Sequence, residues 1–265
     1  THGVPQQVAS FLGDGMDQSH AARPVALCVR LVLQRSGVRL PGVGAVQGIT
    51  GYGMASNPLG PGDISLRDFI EAVGSADTAH GAVSTAAVAG GLGSSLVLMV
   101  ATLPQTRSDL VGDRAKLVEA AASLADIRQQ LIETIETETA VKVFTARNMP
   151  RASAAQRSER QEAIQLALRA AADVPLEVMR LCARGLEVAA VVAAHGSRAA
   201  SVDVQLGVVL LQAGFDGARG NLEGKLSSFI DVAYITSIVD EIGRLTGETT
   251  LATRAAESSL KAPPA

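Results

Sequence analysis

The chain has no tryptophan, and aromatic residues make up only 3% of its 265 positions. A core that nevertheless draws on 47% hydrophobic residues must be assembled from Ala, Val and Leu. Small side chains bury enough area only when backbones approach closely. That composition suits helices better than a sheet, which favours β-branched and aromatic residues. Cysteine is scarce too: Cys28 and Cys182 stand far apart, without a C-x-x-C spacing or a neighbouring His. A disulfide scaffold is excluded, no metal site is expected, and two reduced thiols in a cytoplasmic protein are the expectation. Nor is there a surplus of one charge. With 23 Lys and Arg against 26 Asp and Glu the net charge is −3, so no global field draws in nucleic acid or a membrane surface. The opening "THGVPQQVASFLGDGMDQSH" carries acids and no long apolar run, which does not fit a secretory signal.

One absence is local. From Thr78 to Thr106 there is no Asp, Glu, Lys or Arg. A transmembrane helix needs about 20 apolar residues, and Val83–Leu103 just supplies them. The run is rich in Gly, Ser, Thr and Ala, no Lys/Arg cluster flanks it, and the other helices are amphipathic. The reading adopted is a central helix surrounded by protein, with Gly90, Gly91, Gly93, Ser94 and Ser95 admitting a close neighbour. Such a helix also suits a subunit interface.

Around this run the chain reads as helices. Residues 1–64 form an extension ending in a Gly/Pro-rich linker, in which Leu27–Leu40 suits a short helix or a strand. Ser65, with Asp68 three residues on, opens the helical domain expected over 65–258. Leu110, Leu117, Leu124 and Leu131 recur every seven residues, flanked by Val111, Val118, Ala125 and Ile132, as one apolar stripe of a long helix. Another long helix starts at Ser153, with Ile164, Leu168, Pro175, Met179, Cys182 and Leu186 on one side. Pro175 should kink or divide it. Helices over about 202–226 and from Asp231 onward follow, before a frayed tail at 259–265. The expected fold is an all-α antiparallel bundle of five or six helices around a central small-residue helix.

The segments "SLRDFIEAVGS", "AHGAVSTAAVAGGLGSSLVLMVATL", "RQEAIQLALRAAADVPLEVMRLC", "SVDVQLGVVLL" and "GARGN" occur in an order that resembles the cyclodeaminase/cyclohydrolase family. Methenyltetrahydrofolate cyclohydrolase and the C-terminal domain of formiminotransferase-cyclodeaminase belong to it. The resemblance spans about 65–245. It implies an all-helical homodimer that binds a reduced folate, with no cofactor beyond that tetrahydrofolate substrate, no nucleic acid and no membrane. The implied chemistry is hydrolysis of the methenyl bridge or cyclising deamination of the formimino folate. Either reaction passes through a tetrahedral carbon whose protons must be moved.

Carried over by position, the resemblance makes Glu138 the catalytic acid–base group, where the family has Asp. The added methylene shifts a carboxylate by about an ångström; a solvated face with Glu138 paired to Lys142 is the other reading. The family's glycine loop becomes Gly81, Ala82, Val83, Ser84, leaving Gly81 and Ser84 as substrate-binding candidates, with helix capping the alternative for Ser84. His80, beside it, lies outside the family pattern. A lysine cluster is reduced to Arg107, for which helix capping is again the alternative. Asp203 in "SVDV" and Asn221 in "GARGN" match. Asp203 also suits a helix start, whereas Asn221 within a helix points to ligand or interhelical bonding. A second family Asn is Lys225 here. The alternative function is a non-catalytic folate-binding or partner-binding member of the same fold.

Overall fold

The computed structural model describes residues 65–75, 81–108, 111–135 and 145–262. Its α-helices are α1 (Leu66–Val73), α2 (Ala82–Thr102), α3 (Val111–Ile135), α4 (Ala154–His195), α5 (Ser201–Glu223) and α6 (Val232–Lys261), and no strand occurs among the described residues. The all-α expectation holds. Helix α1 belongs to a separate compact unit that ends at His80. Its Ser65 side chain accepts from the Asp68 amide at 3.2 Å, as a cap should.

Helices α2–α6 form the bundle, with α4 touching α2, α3, α5 and α6. Ser153 opens α4 with a full capping box, its Oγ taking the Gln156 amide while Gln156 returns a bond to the Ser153 amide. Ile164, Leu168, Pro175, Met179, Cys182 and Leu186 are all buried, as their spacing predicts. The expected division at Pro175 does not occur, and α4 runs unbroken for 42 residues. Pro175 lies on the buried face with Ala171, Ala172 and Leu176, and packing there holds the turn that the missing N–H would have weakened.

The uncharged run is α2, and its glycines set the packing. A Cβ on Gly93 would lie 2.7 Å from the Gly207 carbonyl oxygen of α5, and one on Gly214 would lie 2.7 Å from Ala86 O. One on Gly90 would meet the Cys182 sulfur at 2.7 Å. Close approach is therefore built into the α2–α5 seam, with the thiol of α4 filling the notch behind it. Gly91 meets nothing within 4 Å and lies on the other face. That face is open within one chain: only 39% of the apolar stretch of α2 is buried, so the helix is not enclosed on all sides. Among the described residues, α2 is the one helix long and apolar enough to cross a membrane.

In α3 the heptad leucines Leu117, Leu124 and Leu131 are fully buried. Their expected flank is not, since Val118 is 60% exposed and Val111 87%. Ala120 and Ile127 complete the face instead, at the i+3 positions of a straight helix. Leu110 lies outside the described residues.

The pairs 93–207 and 86–214 run α2 and α5 antiparallel, and 90–131 does the same for α2 and α3. One end of the bundle therefore collects the start of α2, the ends of α3 and α5, the start of α6 and the middle of α4. The other collects the end of α2, the starts of α3 and α5, and the last turns of α4 and α6.

Candidate functional site

The two ends differ in how many chain segments their polar groups fasten together. At the end where α4 finishes, Arg107 donates through Nη1 to Ala193 O at 2.8 Å and through Nη2 to Ser259 O at 2.8 Å. Its backbone N–H bonds His195 O. It thus ties the loop after α2 to the last turns of α4 and α6, where exposed carbonyls attract a cation. Arg114 serves α2 likewise, bonding the carbonyls of Leu103 and, at 2.9 Å, Pro104.

A polar chain lies beside it. Asp113 Oδ1 is 2.8 Å from His195 Nδ1, its other oxygen accepts from Ser108, and Lys116 Nζ is 3.2 Å from His195 Nε2. An ammonium has only donors, so Nε2 accepts and the ring proton sits on Nδ1, facing Asp113. The Ser108 hydroxyl above all, with His195 behind it, holds the Asp113 carboxyl below its ordinary range, against the opposing effect of burial. No feature of the sequence joins positions 108, 113 and 195; only the fold does.

Asp203 sits in the first turn of α5, at this same end. Arg107 and Asp203 are therefore neighbours of the tied end. Asn221, Gly81 and Ser84 are at the other. With a rise of about 1.5 Å per residue, Asp203 and Asn221 lie about 27 Å apart along α5. One chain does not bring the five candidates to a single point. Glu138 and His80 lie outside the described residues.

The second end is fastened by fewer long-range bonds. Gly81 is the N-cap of α2 in an extended conformation (φ −86°, ψ −165°) and offers no side chain to the free N–H groups of that turn. Ala82 and Val83 are already helical, so the substituted glycine loop needs no left-handed backbone here, and Ser84 falls inside the first turn of α2. One turn beyond the Gly217–Ala86 contact lies Asn221. Its Oδ1 accepts from Lys225 Nζ at 2.6 Å, and Lys225 also donates to Ala171 O of α4 at 3.3 Å. Burial lowers the pKa of the Lys225 ammonium, and among the described residues no carboxylate lies within ion-pairing distance of it.

Tyr234, in the first turn of α6, sits against the same stretch of α4. Arg169 lies 4.8 Å above its ring and pairs with Asp231, the N-cap of α6, at 2.6 Å. The Tyr234 hydroxyl is buried with no hydrogen-bond partner among the described residues. Burial first, and Asp173 second, raise its pKa. A shallow cavity of about 240 Å³ opens alongside, lined by Gln161, Gln165, Arg169 and Asp231 among others. The sequence placed Lys225 four residues after Asn221, enough to infer their contact on a helix. It gave no sign that Tyr234 belongs with them.

Nucleophilic and metal chemistry find little support here. Cys182 is a free thiol pushed up to about 12 by burial, so it is unreactive in the folded chain. No cluster of three or more His, Cys, Asp or Glu suited to a metal occurs among the described residues. Cys28 is not among them.

Comparison with known proteins places this geometry. Methenyltetrahydrofolate cyclohydrolase of Methylorubrum extorquens is 26% identical over 189 residues, which cover 71% of this chain and 91% of the relative. Formimidoyltransferase-cyclodeaminase of Gallus gallus is 25% identical over 198 residues, 74% of this chain but 35% of that longer protein. The crystal structure of formiminotetrahydrofolate cyclodeaminase from Thermotoga maritima superposes with a TM-score of 0.67 at 19% identity, covering 75% of this chain and 96% of that one. At that identity the superposition shows the shared helical fold. The formiminotransferase-cyclodeaminase family profile matches residues 65–244, from the cap of α1 into α6. The chain belongs to the formiminotransferase-cyclodeaminase family.

Proposed function

We propose that the protein is an enzyme of folate-dependent one-carbon metabolism. It either hydrolyses the methenyl bridge of methenyltetrahydrofolate or closes formiminotetrahydrofolate with loss of ammonia. The observation that carries this reading is the family match over 65–244, which includes both the uncharged helix and the Asn221 end of the bundle. In hydrolysis, water adds to the bridging carbon while a base takes its proton. The tetrahedral adduct then breaks one C–N bond as that proton reaches the departing ring nitrogen. In the cyclising reaction the second bridging nitrogen, outside the pterin ring, attacks the formimino carbon and gives up its proton, and ammonia leaves once the imino nitrogen has been protonated. Either route needs one carboxylate that takes and returns a proton, and Glu138 is assigned that role. Asn221 is assigned to the substrate, with Gly81 and Ser84 beside it at the start of α2. No cofactor beyond the tetrahydrofolate substrate is required, and a cytoplasmic setting suits the buried free thiol.

The reading includes a homodimer. Leu92 and Met99 on α2 and Val202, Leu206 and Val209 on α5 are 44–72% exposed, in rows left open by two helices that pack side by side. A second copy covering them would keep α2 out of a bilayer. Leu206→Glu should then yield monomer in detergent-free light scattering.

The reaction is tested by following loss of the near-ultraviolet absorbance of methenyltetrahydrofolate. The wild type should accelerate it, and Glu138→Gln should remove about a hundredfold or more of the gain. Saturable folate binding without turnover would instead favour the non-catalytic reading, which the substituted loop at 81–84 and the Asp-to-Glu change support.

A further inference from the structure

We propose that Lys225 and Asn221 form a cationic subsite that takes a carboxylate of the substrate. The inference rests on the folate reading above and adds which part of the ligand this end of the bundle holds.

The argument starts from valence. Lys225 has three N–H donors, of which Asn221 Oδ1 and Ala171 O occupy two. The third has no acceptor among the described residues and is left for a ligand. With one lone pair of Asn221 Oδ1 engaged by Lys225, the pair offers chiefly hydrogen-bond donors, the third ammonium hydrogen and the Asn221 Nδ2 group, which match the lone pairs of an oxygen ligand.

Charge narrows the class further. A cation partly removed from water is costly unless paired, and Lys225 has no carboxylate partner among the described residues. A neutral carbonyl would satisfy the donors but not the charge; a carboxylate satisfies both. The reactive part of a methenyl folate is itself a cation, delocalised over the bridging carbon and two nitrogens. An ammonium placed against that bridge would repel it. Lys225 is therefore fitted to the anionic end of the substrate, the glutamate tail.

The test compares equilibrium binding of 5-formyltetrahydrofolate with that of its tail bisamide, in which both carboxylates are neutral. The wild type should bind the acid about ten- to a hundredfold more tightly, as expected for a charge-assisted contact. Lys225→Met should bring the two affinities to within about twofold of one another, by weakening the acid far more than the bisamide. Lys225→Arg should restore most of the preference. Thermal melting of each variant, with Lys225→Gln as a second neutral replacement, shows that the fold is intact. A wild-type ratio near one, a preference that persists in Lys225→Met, or equal weakening of both ligands overturns the subsite while leaving the folate reading standing. Failure of the wild type to bind either ligand overturns both.

Discussion

The tied end and the open end of this bundle are made from the same helices, yet they differ in chemistry. Around Arg107, charged groups find carbonyls, a His finds an Asp, and three chain segments are fastened together. Around Lys225, a cation has no carboxylate partner and a tyrosine hydroxyl no hydrogen-bond partner among the described residues. Among the described residues each end keeps a buried group without a partner, Arg107 Nε at the tied end and the Tyr234 hydroxyl at the open end, so what separates the two is how many chain segments their bonds fasten together.

The largest effect should come from breaking the tied end. Arg107→Ala removes the guanidinium bonds to the ends of α4 and α6, and should cost about 3 kcal/mol in urea unfolding. A loss below about 1 kcal/mol would mean that this end is not fastened as described. Midway between the ends, Gly93→Ala drives a methyl into the Gly207 carbonyl and should cost about 2–3 kcal/mol. Gly91→Ala on the open face should instead be neutral, or stabilising by up to about 1 kcal/mol, in a single chain. In a dimer sealed over that face the gain would disappear, so melting across protein concentrations distinguishes the two.

A smaller effect should follow acidification. The folded-state pKa of Asp113 lies below that of an ordinary carboxylate, so its contribution is complete above about pH 4 and is lost as pH falls through the folded value. Asp113→Asn should flatten the acid limb of a stability-against-pH curve and leave its slope near neutrality alone. The smallest effect belongs to the open end: Lys225→Met should change stability by no more than about 0.5 kcal/mol. A cost like that of Arg107→Ala would erase the contrast between the ends.

Much of the fold could be read from residue order. The missing charge between 78 and 106 announced α2, and the buried row from Ile164 to Leu186, in a helix expected from Ser153, followed from helical spacing. Two readings failed for local reasons. Pro175 predicts a break only when its turn has no neighbours, and Pro175 itself is buried where α4 packs against the other helices of the bundle. The residues beside the α3 leucines were assigned by heptad spacing, whereas a straight helix buries i+3 partners. The site was legible only in part. Asn221 stood out because a mid-helix Asn needs a reason, but Arg107 looked like the remnant of a basic cluster. Its engagement with Ala193 and Ser259 depends on contacts far along the chain. The same holds for the lack of a carboxylate beside Lys225 among the described residues, since an absence in space leaves no trace in a string of letters.

The notch that seats Cys182 between Gly90 and Gly214 has a practical corollary. A sulfur with no spare volume around it cannot admit even a small alkylating reagent until α2, α4 and α5 come apart. In a Cys28→Ser background, the rate of modification at this position would therefore time the opening of the whole bundle, an intrinsic stopwatch that needs no attached dye.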